Sequence, residues 1–111
     1  MQHQEDTLKI TTQMRKGILE YTILSIIWKG ESYASDILEK LKTNKLLVVE
    51  WTLYPLLSRL KDDWLISYYW IESSSWPPRK YYRLTEYGGE TLIIMKHIWE
   101  NLSEAVNNIT L

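Results

Sequence analysis

Between residues 53 and 84 the spacing of apolar residues changes period once, and that change limits the folds open to the chain. Leu53, Leu56, Leu57 and Leu60 recur at i, i+3, i+4 and i+7, the stripe of a helix with one face in a core. Pro55 lacks an N–H and fits only the first helical turn, so this helix is expected to start near residues 51–52. Directly after it, "LISYYWIE" is β-branched and aromatic, the composition of a strand. The turn-forming "SSSWPP" and a second strand, "RKYYRLT", follow, so residues 65–84 read as a β-hairpin.

Two helices precede this unit and one follows it. In "RKGILEYTILSIIW", Ile18, Leu19, Ile23, Ile26 and Ile27 fall at helical spacings and Gly30 is a natural stop. "YASDILEKLKTN" carries Ile37, Leu38 and Leu41 on one face, with Ser32 or Ser35 available as a cap. Thr85 caps the last helix, in which Leu92, Met95, Trp99, Leu102, Val106 and Ile109 step alternately by three and four. That is the a/d seam of a coiled coil. Packing within the chain would also use such a stripe, but so small a chain has little left to cover it, which favours a second copy. Residues 1–13 are polar and read as a tail. The expectation is an α+β fold, mostly α: a winged helix-turn-helix over residues 14–84 and a dimerisation helix over 85–111. This arrangement places its third helix in a DNA major groove.

Charge is consistent with that fold without requiring it. The net charge is −1, yet residues 39–83 hold eight Lys/Arg against five Asp/Glu, while residues 84–111 hold one against four. On the third helix the leucines belong to the core, so only Thr52, Tyr54, Ser58, Arg59 and Lys61 are left to touch DNA. On the hairpin, Arg79, Lys80 and Arg83 are placed to reach phosphate. Strand alternation puts Arg79 and Arg83 on one face with Tyr81, and Lys80 on the other with Tyr82; a solvated strand face would explain the same charges. There is no cysteine, and His3 and His97 have no partner at metal-ligand spacing. Neither a nucleophile–base pair nor a glycine-rich phosphate loop occurs, so no enzyme, metal or cofactor is expected. The polar start does not read as a secretory signal, and no apolar run reaches the roughly 20 residues of a membrane helix. A cytoplasmic protein is expected.

The segments "KGILEYTIL", "LYPLLSRLK" and "PPRKYYRLTEYG" closely resemble the signature segments of PadR-family transcriptional regulators, and the likeness runs from about Lys16 into the last helix. The single C-terminal helix resembles the short PadR subfamily. The resemblance implies a homodimeric repressor of palindromic operator DNA, released in several members by a small-molecule effector. Trp99 on the seam is the expected wall of a pocket for an aromatic effector. Two rival functions share the fold: a winged-helix module for protein contacts, and a dimer that mainly binds aromatic ligands. Trp51, Trp64 and Trp76 stand where the family pattern has glycine. Two readings are open: UGA codons for glycine translated as tryptophan, or genuine rings that serve as wing-tip or interface anchors; Trp28 is undecided between them, and UGG at codons 51, 64 and 76 of the gene would remove the first.

Overall fold

Ile23, Leu24, Ile37, Leu41, Leu53, Leu57 and Leu60 close the core, each at most 1% exposed. Burying each contributes about 1.5–3 kcal/mol. They come from three helices, α2 (Ile18–Lys29), α3 (Ala34–Thr43) and α4 (Glu50–Asp62). The computed structural model describes residues 2–46, 48–72 and 77–111. It adds α1 (Gln2–Met14), β1 (Ser32–Tyr33), β2 (Ile66–Ile71), β3 (Arg79–Leu84) and α5 (Glu86–Thr110). The result is mostly helical with one small antiparallel sheet, the winged-helix form of the α+β class.

Four local features differ from the sequence expectation. The polar segment read as a tail is helical over Gln2–Met14 and leaves Leu8, Ile10 and Met14 exposed. Its few apolar residues make no continuous stripe, so no period announced it. The sheet has three strands in the order β1-β3-β2, because Ser32 and Tyr33 pair with Tyr82 and Tyr81. Two residues are too few to show a strand pattern. Neither Ser32 nor Ser35 caps α3: Asp36 Oδ2 accepts the Tyr33 N–H at 2.9 Å, while the Ser32 hydroxyl donates to the Gly30 carbonyl. Finally, α4 begins at Glu50, so Pro55 lies in its second turn. The helix there forgoes the bond that residue 55 would make to the carbonyl of the exposed Trp51.

The end of α4 bears on the tryptophans. Trp64 has φ 65°, its N–H donates to the Lys61 carbonyl, and the Leu65 N–H reaches back to the Leu60 carbonyl, both at 3.0 Å. This is a Schellman stop, in which the left-handed residue is usually glycine. The indole gains little in return, since Trp64 is 76% exposed. A left-handed conformation costs a residue with a Cβ about 1–2 kcal/mol. Trp64→Gly is therefore expected to raise the melting temperature by several degrees, and a lower value would show that the ring contributes more than its backbone costs. Trp51 shares the exposure but not the strain, lying in the first turn of α4 with no positive φ. Trp76 lies outside the described residues.

One junction fixes α5 against the end of α4. Thr85 caps α5 by accepting the Gly88 N–H at 2.8 Å. Its hydroxyl donates to the Trp64 carbonyl, and its own N–H donates to Leu65. Gly88 is buried here, and a Cβ on it would stand 1.9 Å from the Leu65 carbonyl oxygen.

Candidate nucleic-acid interface

Helix α4 buries Leu53, Leu57 and Leu60, which turns Tyr54, Ser58 and Lys61 outward and leaves Thr52 half-buried. Arg59 stands apart from these: it is exposed, but its guanidinium pairs with Glu20 on α2. Arg59, expected among the DNA candidates, is thus exposed and at the same time bridges α4 to α2.

Strand alternation divides the hairpin cations as expected. The register pairs Tyr68 with Tyr82, Tyr69 with Tyr81 and Trp70 with Lys80. On the face turned to α4, Lys80 Nζ lies 4.5 Å from the centre of the Tyr68 ring and 5.5 Å from that of Trp70. Lys61 Nζ approaches the same Tyr68 ring from α4, at 5.7 Å. Tyr68 thus holds a cation of the third helix and a cation of the wing together, a role that no pattern within either segment signals. Beside them a cleft of about 550 Å³ has Tyr33, Tyr54, Trp70, Arg79, Lys80 and Tyr82 among its lining residues. The Tyr82 side chain is 5% exposed. Burial pushes its phenol up, with Tyr54 and Tyr68 adding to the effect, so the group is a neutral hydroxyl at physiological pH.

Alternation turns the arginines to the other face of β3, although Arg79, at the start of the strand, still borders the same cleft. The Arg79 guanidinium lies 4.8 Å from the centre of the Tyr33 ring, and that of Arg83 5.3 Å from Tyr69. Arg83 Nε also donates to the Ser67 hydroxyl at 3.3 Å. Tyr69 donates to Glu31 at 2.6 Å, and chiefly that bond pushes its phenol up to about 12. Arg79, Lys80 and Arg83 are therefore not one cluster: Lys80 and Arg79 both border the cleft beside Tyr54 of α4, and Arg83 does not.

Along α5 the apolar seam divides in two. Leu92 is buried and the half-buried Met95 packs on the same core, whereas Trp99, Leu102, Val106 and Ile109 remain exposed. Ile94 and Ile98 are exposed on the same helix. Among the described residues no group of three His, Asp or Glu side chains is placed to hold a metal, and no helix is long and apolar enough to cross a membrane.

Comparison with known proteins agrees with this geometry. The model of the transcriptional regulator PadR-like family matches residues 23–93. A PadR-like transcription factor from Bacteroides fragilis is 53% identical with a TM-score of 0.78, over 92% of this chain and 99% of that one. A PadR-like transcriptional regulator from Bacillus cereus is 41% identical with a TM-score of 0.78, over 87% of this chain and 95% of its own. The Bacillus subtilis PadR, solved in complex with operator DNA, is 28% identical with a TM-score of 0.63, over 74% of this chain and 46% of that longer one. With three helices and a wing in the expected order and the family match spanning most of them, the chain belongs to the PadR-like family of transcriptional regulators.

Proposed function

We propose that two copies of the chain bind a palindromic operator and repress transcription, with an aromatic effector releasing the DNA. The observation that carries this reading is that Lys61 of α4 and Lys80 of the wing both approach the Tyr68 ring, at 5.7 and 4.5 Å, which supports reading α4 and the wing as one basic edge. In it α4 enters the major groove, Tyr54 and Ser58 meet base edges, Thr52 flanks them, and Lys61 and Lys80 hold phosphates. The existence of a PadR solved with operator DNA supports this reading. Arg83 looks away from that edge and Arg59 is engaged by Glu20, so these two contribute less, whereas Arg79 borders the same cleft as Tyr54 and Lys80. The exposed half of the α5 seam is the dimer contact, because a monomer rarely leaves so long an apolar stripe in water. Two such copies place their recognition helices on half-sites ~10 bp apart, or a multiple of that.

Base-reading and phosphate-holding residues separate experimentally. Tyr54→Ala and Ser58→Ala should change which sequences are preferred in a selection from random duplexes. Lys61→Ala should weaken all duplexes alike, because phosphate contacts carry no sequence information. Unchanged preference in both α4 variants would remove this helix from base recognition.

A further inference from the structure

The outer face of the sheet, opposite the buried Ile66 and Tyr82, carries one row of rings. Tyr33 of β1 stands in register with Tyr81 of β3, and Tyr81 with Tyr69 of β2. Each strand thus gives one tyrosine to the row, with ring centres 4.8 and 5.5 Å apart. Two guanidiniums close its ends, Arg79 over Tyr33 and Arg83 over Tyr69. The row is not core: both arginines are exposed, Tyr69 is 36% exposed, and Tyr33 and Tyr81 are half-buried. Stacking engages the flat face of a guanidinium and leaves its in-plane N–H donors for an anion. Arg83 uses one of them on Ser67. No strand position on this face is acidic; Glu31, just before β1, reaches it by accepting the Tyr69 hydroxyl.

We infer that this face binds single-stranded RNA, with bases against the tyrosine row and phosphates on Arg79 and Arg83. The four-residue step between the arginines spans about 13 Å of strand, room for the two or three bases that an aromatic sheet stacks. The rings decide the kind of partner. A duplex hides its bases and an acidic peptide has none, so either would use the arginines and leave the tyrosines idle. A single strand uses both. Glu31 favours ribose over deoxyribose, because a carboxylate beside the row accepts a 2′-hydroxyl, a donor that DNA lacks. Arg79 and Tyr33 also border the cleft beside Tyr54, whereas Arg83 and Tyr69 do not, so the test rests on the latter pair.

The probe is a labelled single-stranded RNA of mixed sequence, titrated with the full chain at low salt and read by fluorescence anisotropy. Saturable binding is expected, weakened about tenfold by Tyr69→Leu. Arg83→Gln changes an exposed side chain and should keep the wild-type melting temperature. It should lower the slope of log affinity against log salt by about 0.7, the share of one phosphate on a single strand. Lys80→Ala, on the other face of β3, should leave RNA affinity nearly unchanged. The DNA strand of the same sequence should bind several-fold more weakly, and polyglutamate should not displace the RNA. Absence of binding, or equal affinity for the DNA strand, overturns the proposal. So does displacement by polyglutamate, which would make the face a dock for acidic protein, or an affinity that falls with Lys80 and not with Tyr69 or Arg83. No operator enters this titration, so its failure leaves the repressor reading untouched.

Discussion

Trp99→Ala should convert the proposed dimer to monomers at micromolar concentration. In the isolated chain Trp99 is 42% exposed, and Leu102, Val106 and Ile109 beyond it are more so. In the proposed dimer the second copy buries the rest of the ring. Truncating a buried aromatic costs about 3–5 kcal/mol, and every 1.4 kcal/mol is a factor of ten in affinity. Each dimer loses two such rings, so dissociation should strengthen by at least about a hundredfold. Leu92→Ala acts differently, because Leu92 lies in the chain's own core: it should lower thermal stability before it changes the oligomeric state. Sedimentation velocity separates the two variants. A wild-type chain that sediments as a monomer at micromolar concentration would refute the dimer.

The second large effect is expected at Gly88. An alanine Cβ would stand 1.9 Å from the Leu65 carbonyl oxygen and 2.8 Å from its carbon. Both are backbone atoms that cannot rotate aside, so α5 must lift from the Leu65 backbone between α4 and β2 and loosen the Thr85 cap. Overpacking of this kind costs about 1–3 kcal/mol, and a weakened cap adds about 1 kcal/mol. Gly89→Ala is the control, since its Cβ would meet nothing within 4 Å and alanine favours a helix over glycine by about 1 kcal/mol. Urea unfolding should show a large loss at residue 88 and none at 89. Equal behaviour of the two would mean the junction is looser than its geometry.

Whatever carries its own long pattern was legible in the sequence. The leucine stripe of α4, the two strands of the wing and the Thr85 cap follow from periodicity and capping chemistry within one segment. Alternation alone also separated Lys80 from Arg79 and Arg83. The features that escaped depend on which segments meet. Tyr68 gathers Lys61 and Lys80 only because the wing folds back beside α4, and Arg59 is taken by Glu20 only because α2 crosses there. The α5 seam looked uniform from Leu92 to Ile109, yet its first members are spent on the core that α2 and the sheet supply. A two-residue strand and a helix without a stripe, β1 and α1, had no period to read.

The central claim is that α4 and the Lys80 face of the wing form one phosphate-holding edge. Its most direct test is operator affinity measured across salt concentration for the wild type, Lys80→Ala and Arg83→Ala. In a plot of log affinity against log salt, each true phosphate contact contributes about 0.9 to the slope. Lys80→Ala should flatten the slope by about that amount, while Arg83→Ala, stacked on Tyr69 across the sheet, should leave it nearly unchanged. A wild-type affinity indifferent to salt, or a slope that falls with Arg83 and not with Lys80, would contradict the claim.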